Sequence, residues 1–184
     1  MTQPVDYEEL VRIGRRLLIA IGEDPEREGL KGTPVRFAKV WKEFIEYDPG
    51  NVETTFESVR VDQLVVVKGM RVWSMCEHHM IPFWCDISIG YLTGNRVLGL
   101  SKFARIAREV AHNLQIQERM VQQIADRVVQ LTGSGNVGVL GSGVHLCMVM
   151  RGVRTFGEMV SSDMRGHFRD EPDLRQEFLS LIQK

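Results

Sequence analysis

The chain has 184 residues, 43% hydrophobic and 26% charged, enough for one globular domain with a core of its own. A formal net charge of -1 gives no bulk electrostatic reason to bind nucleic acid or an anionic membrane. No apolar run approaches the ~20 residues of a membrane span. The opening MTQPVDYEELVRIGRR puts acidic residues where a secretory signal carries basic ones, so the expected location is cytoplasmic. Three cysteines, Cys76, Cys85 and Cys147, argue against a disulfide framework in such a compartment and for metal or thiol chemistry.

Leu10, Ile13, Gly14, Leu17 and Ile21 recur at helical spacing until Gly22-Glu23-Asp24-Pro25 stops the run. A second helix is expected to open at Thr33-Pro34, with Thr33 as N-cap and Pro34 at the first helical position. Phe37, Val40, Trp41, Phe44 and Ile45 form its expected core face. Residues 64–75 are rich in β-branched side chains and read as a strand. Phe83, Cys85, Ile87, Ile89 and Tyr91 then alternate with Trp84, Asp86, Ser88 and Gly90, the pattern of a half-buried strand, with Thr93-Gly94-Asn95 as its turn. Helices are predicted over 102–112 and 116–131, and Gly133-Ser134-Gly135-Asn136 breaks the second. A long strand over 137–151, a short one near 159–168 and a closing helix over 173–183 complete the chain. Two strands, two helices and two strands, with helices at both ends, predict an α+β fold on an antiparallel sheet.

Cys76-Glu77-His78-His79 places a thiol and an imidazole at C-x-x-H spacing, which a tight turn can bring to one ion. Alone, that spacing is as well explained by a buried cysteine beside ordinary histidines. A second segment adds weight. In His145-Leu146-Cys147-Met148-Val149-Met150-Arg151, strand alternation puts His145, Cys147 and Arg151 on one face, with Val144, Leu146, Met148 and Met150 on the other. Cys76, His79 and Cys147 make a Cys₂His set suited to Zn2+, and Cys85 falls on the apolar face of its strand. Three protein ligands leave a fourth position for water, whose pKa zinc lowers towards ~7. His78 and His145 neighbour this set and can exchange protons near neutrality.

The chain resembles the GTP cyclohydrolase I family in several segments that keep the family's order. They are Gly32-Thr33-Pro34-Val35-Arg36-Phe37-Ala38-Lys39, Cys76-Glu77-His78-His79-Met80-Ile81-Pro82-Phe83 and Gly99-Leu100-Ser101-Lys102-Phe103-Ala104-Arg105. Leu114-Gln115-Ile116-Gln117-Glu118-Arg119 and His145-Leu146-Cys147-Met148-Val149-Met150-Arg151-Gly152-Val153 follow. Several ordered motifs are far more specific than any one of them.

The resemblance implies a tunnelling fold, with an N-terminal helical extension over 1–60 and a catalytic domain over 61–184 as one structural unit. It implies zinc-dependent hydrolysis of GTP at carbon 8, with release of formate. An Amadori-type rearrangement and ring closure then give 7,8-dihydroneopterin triphosphate. His145 would protonate the purine nitrogen beside carbon 8, and His78 would assist later proton transfers. Glu118 would read guanine, accepting from its ring N–H and exocyclic amine, with Gln117 adjoining it. Ser101 would contact ribose or phosphate, and Lys102, Arg105 and Arg151 the triphosphate, with Arg36 and Lys39 as further cations. The implied assembly is a ring-shaped homodecamer with active sites between subunits.

The sequence departs from the family pattern at Cys85, Ser88, His112-Asn113 and Ser161-Ser162-Asp163, none of them a zinc ligand or proton-transfer histidine. A nucleobase deaminase would also use a His/Cys/Cys zinc with a glutamate, but its C-x-x-C pair is absent. Two rivals remain open at this point: a reaction that stops after ring opening or formate loss, and a non-catalytic nucleotide-binding relative.

Overall fold

A computed structural model describes residues 4–183. The chain divides into two compact units between Asp48 and Pro49. The first is a helical pair, α1 (Tyr7–Ala20) and α2 (Thr33–Ile45). Asp6 caps α1 by accepting from the Glu9 N–H at 2.9 Å. Thr33, expected as the cap of α2, is instead its first residue, and Gly32 holds the cap position without a side-chain bond. The cause is local: the Thr33 N–H already donates to the Leu30 carbonyl, and its hydroxyl accepts from Arg36 at 3.0 Å. Val40, expected on the core face of α2, is exposed.

The second unit is built on a five-stranded sheet of order β5-β2-β3-β6-β7. Its members are β2 (Leu64–Cys76), β3 (Pro82–Leu92), β5 (Leu114–Gln115), β6 (Val137–His145) and β7 (Met159–Met164). All pairings are antiparallel except the short β2–β5 ladder. β1 (Thr55–Glu57) and β4 (Arg96–Leu98) form a separate two-stranded ribbon. Helices α3 (Leu100–Ala111) and α4 (Gln117–Thr132) intervene between β4 and β6, and the α+β expectation holds.

The period-2 reading of β3 holds for its inner face, where Phe83, Cys85, Ile87, Ile89 and Tyr91 are all fully buried, but Ser88 and Gly90, expected on the open face of a half-buried strand, are buried as well. They share one core with Phe103, Ile106 and Ala107 of α3 and with Met120, Val121 and Ile124 of α4. Each large apolar side chain buried this way contributes about 1.5–3 kcal/mol. The other sheet face is covered near Gly90 by Phe168 of α6 (His167–Asp170) and Phe178 of α7 (Pro172–Gln183). The predicted strand 159–168 therefore stops at Met164 and turns into α6, which buries Phe168.

The ladder of β2 shifts register between Val67 and Met70, where Gly69 takes φ 67° and donates its N–H to the Ser88 hydroxyl at 3.3 Å. Ser88, one of the departures, thus anchors a bulge. Asn113, another, closes α3 by donating to the Glu109 and Val110 carbonyls.

The strand predicted over 137–151 is the main correction. β6 ends at His145, and Leu146–Val149 form a helical turn, α5. The strand runs out of partners there: β3 begins at Pro82, and its last pairing with β6 is Phe83 with His145. On the other side, β7 pairs no further than Gly143 with Met159.

Gly143 lies where no side chain fits. A Cβ there would stand 2.7 Å from the Trp84 carbonyl and 2.6 Å from the Gln117 amide oxygen. The first neighbour is backbone and cannot swing away. Gly143→Ala is expected to destabilise the protein by about 1–3 kcal/mol, seen as a lower thermal midpoint.

Candidate active site

Cys76 ends β2, and residues 77–79 turn the chain back towards β3. The Cys76 N–H donates to the Ile81 carbonyl at 3.0 Å, and its own carbonyl accepts from the Met80 N–H at 2.8 Å. Closing the turn holds Met80 at φ 52°, which costs a non-glycine residue roughly 1–2 kcal/mol. The turn folds both imidazoles onto one sulfur: Nδ1 of His78 and Nδ1 of His79 each lie 3.9 Å from the Cys76 Sγ. Arg119 of α4 steadies the segment, donating to Glu77, to the Leu114 carbonyl and to the Gln115 side chain.

Cys147 arrives on α5. One ligand atom each from Cys76, His79 and Cys147 lies within 4.8 Å of the others, a group that could hold a metal ion. The helical turn, rather than strand alternation, delivers Cys147. Burial pushes the Cys147 thiol up, and the Cys76 sulfur pushes the same way, with Arg151 opposing. A bound cation would relieve that cost by stabilising both thiolates. Two soft sulfurs and an imidazole therefore fit a soft or borderline divalent ion. Arg151 reaches the same group, its Nη1 donating to the His79 Nε2 at 3.0 Å.

Cys85 stays out of this chemistry. It is fully buried on β3, and burial pushes its thiol up to about 12.

His145 pairs across the ladder with Phe83, so both point to the same sheet face. Their rings stack at 4.4 Å and 11°. Burial lowers the pKa of His145, opposed by the charge of Glu118, an exposed residue in the first turn of α4. Gln117, read from the sequence as a substrate contact, is fully buried instead. Its amide Nε2 lies 3.0 Å from the Gly141 carbonyl, 2.8 Å from the Met159 carbonyl and 3.1 Å from the Ser161 hydroxyl, sharing two hydrogens among them, and its Oε1 lies 3.0 Å from the His145 Nε2. Phe83, Gln117 and Arg119 thus support the site from behind. A polar residue one position before an exposed glutamate gave no sign of that placement.

Among the remaining cations, Lys102, Arg105 and Arg36 have partners of their own. Ser101 and Lys102 occupy the first turn of α3, whose cap Gly99 makes no side-chain bond. Lys102 donates to the Asn51 carbonyl at 2.6 Å, and Arg105 donates to the Pro49 carbonyl. Arg36 and Lys39 are exposed on α2 of the first unit, where Arg36 bonds Thr33 and the Gly29 carbonyl.

The sequence profile described as GTP cyclohydrolase I matches residues 11–183. This chain belongs to the GTP cyclohydrolase I family. A GTP cyclohydrolase 1 of Hyperthermus butylicus is 44% identical over 98% of this chain and 93% of its own length. One from Deinococcus radiodurans is also 44% identical, over 98% of this chain and 86% of its own. The Drosophila melanogaster GTP cyclohydrolase 1 is 44% identical over 95% of this chain and 55% of its own length. The antiparallel-rich sheet with its two inserted helices is consistent with the tunnelling fold. The family match spans both compact units. Among the described residues, no helix is long and apolar enough to cross a membrane.

Proposed function

We propose that the protein is a zinc-dependent GTP cyclohydrolase I that converts GTP to formate and 7,8-dihydroneopterin triphosphate. The observation that carries this reading is the Cys76, His79 and Cys147 group in a chain of this family, with His145 two residues from Cys147. Zinc held by these three side chains would supply a Lewis acid that lowers the pKa of a water to near neutrality.

The other residues act on the substrate. His145, its ring fixed by Phe83, donates a proton to the purine nitrogen beside carbon 8, making that carbon electrophilic. His78 moves protons in the later rearrangement. The exposed Glu118 carboxylate accepts from the guanine ring N–H and exocyclic amine, and its electrostatic influence on His145 supports a place beside the reacting ring. Arg151, already at His79, supplies positive charge to the triphosphate. Ser101 and Lys102 add the uncapped N-terminus of α3, a favourable place for phosphate oxygens. Arg105, Arg36 and Lys39 are further phosphate contacts. Gln117 serves behind His145 rather than on the substrate.

A homodecamer in the cytoplasm, with sites completed between subunits, is the assembly we propose. Exposed Val160 on the β7 edge and Trp73 on the sheet supply apolar surface for subunit contacts. The reaction is tested by incubating zinc-loaded protein with GTP and identifying the product. Oxidation to fluorescent neopterin phosphates is expected. Formate without any pterin would move the assignment to a reaction that stops before ring closure.

A further inference from the structure

The buried amide of Gln117 has only one orientation that satisfies its neighbours. Its Nε2 lies 3.0 Å from the Gly141 carbonyl, 2.8 Å from the Met159 carbonyl and 3.1 Å from the Ser161 hydroxyl. An NH₂ group has two hydrogens for two carbonyl oxygens, whereas the exchanged amide would press its own oxygen against both carbonyl oxygens with no hydrogen between them. The Oε1 must therefore face His145, whose Nε2 lies 3.0 Å away.

An amide oxygen only accepts, so the His145 Nε2 must carry hydrogen. The ring plane is fixed, and turning the ring over within that plane would set a carbon instead of Nε2 on the Gln117 oxygen and forfeit the hydrogen bond. Phe83 stacks on its face, and Gly143 leaves just the room the Gln117 oxygen occupies. We propose that Gln117 is a positioning residue that holds His145 in its Nε2–H tautomer, making Nδ1 the nitrogen that exchanges protons with the substrate. The catalytic part rests on the reading of His145 as proton donor; the tautomer does not. During catalysis Nδ1 first takes up a proton from solvent water to form the imidazolium, then gives that proton to the purine nitrogen, and the neutral ring left behind keeps the Nε2 hydrogen on Gln117. The proton and the positive charge taken from solvent are the ones passed to the purine, so the step balances.

The test is magic-angle-spinning NMR of zinc-loaded protein labelled with ¹³C,¹⁵N-histidine, at mildly alkaline pH. His145 signals are identified by their loss in His145→Ala. A pyrrole-type Nε2 with a pyridine-type Nδ1 is expected in the native protein. A pyrrole-type Nδ1 would overturn the proposal. Gln117→Met removes the acceptor at similar length and is expected to mix the two tautomers. It should lower kcat by about ten- to a hundredfold, with KM for GTP and zinc content little changed. An unmixed Nε2–H tautomer in Gln117→Met would contradict the positioning role. Should that variant fail to fold, the native spectrum still decides the tautomer. Because that spectrum is read without turnover, absence of formate release would overturn the proposed function and not this assignment.

Discussion

Cys147→Ala is expected to lose its metal, falling from stoichiometric zinc to background by elemental analysis after desalting. The Cys76, His79 and Cys147 group has three donors, so one substitution leaves a thiol and an imidazole from a single turn. Two such ligands cannot enclose an ion, and the open water position offers no replacement. The fold should survive, because Cys147 sits partly exposed on the short α5 rather than inside the main core. Cys85→Ala is the matched control. That thiol is the more deeply buried, so its loss should lower stability while leaving zinc in place. Full metal in Cys147→Ala would remove the centre on which the functional reading stands.

His145→Ala is expected to separate metal binding from chemistry. Its Nε2 faces Gln117, and it is not among the three donors, so zinc content should match the native protein. Turnover of GTP should drop by about 10²- to 10⁴-fold, the usual worth of a positioned acid–base group. Loss of the ring also leaves Phe83 without its stacking partner, so some stability is lost. Circular dichroism and metal content together exclude unfolding as the cause. Native rates of formate release in this variant would contradict the proton-transfer role.

Much of this arrangement was legible in the residues. Strict alternation in β3 places five consecutive odd positions in the core, because a one-residue slip would turn all five to the opposite face, whereas the cover that α6 and α7 lay over Gly90 left no local mark. The C-x-x-H turn also forms as its spacing implies, bringing His79 onto Cys76. What alternation misplaced was Cys147. A strand persists only where a neighbour pairs with it, and the end of β3 at Pro82 lies far away in sequence. Gln117 escaped for a similar reason. Its partners at Gly141, Met159 and Ser161 come from two distant strands, so no local pattern marks it as buried. The reach of Lys102 and Arg105 to loop carbonyls at Asn51 and Pro49 is likewise a long-range fact. The departures from the family pattern turn out to be structural in part: Ser88 holds the β2 bulge, and the Ser161 hydroxyl lies 3.1 Å from the buried Gln117 amide.

The most direct test is formate release from GTP by one preparation, assayed metal-stripped and again after zinc is restored. No release is expected without metal, and one formate per GTP consumed once zinc is back. Equal release in both states, or none from the zinc-loaded protein, would contradict the proposed function.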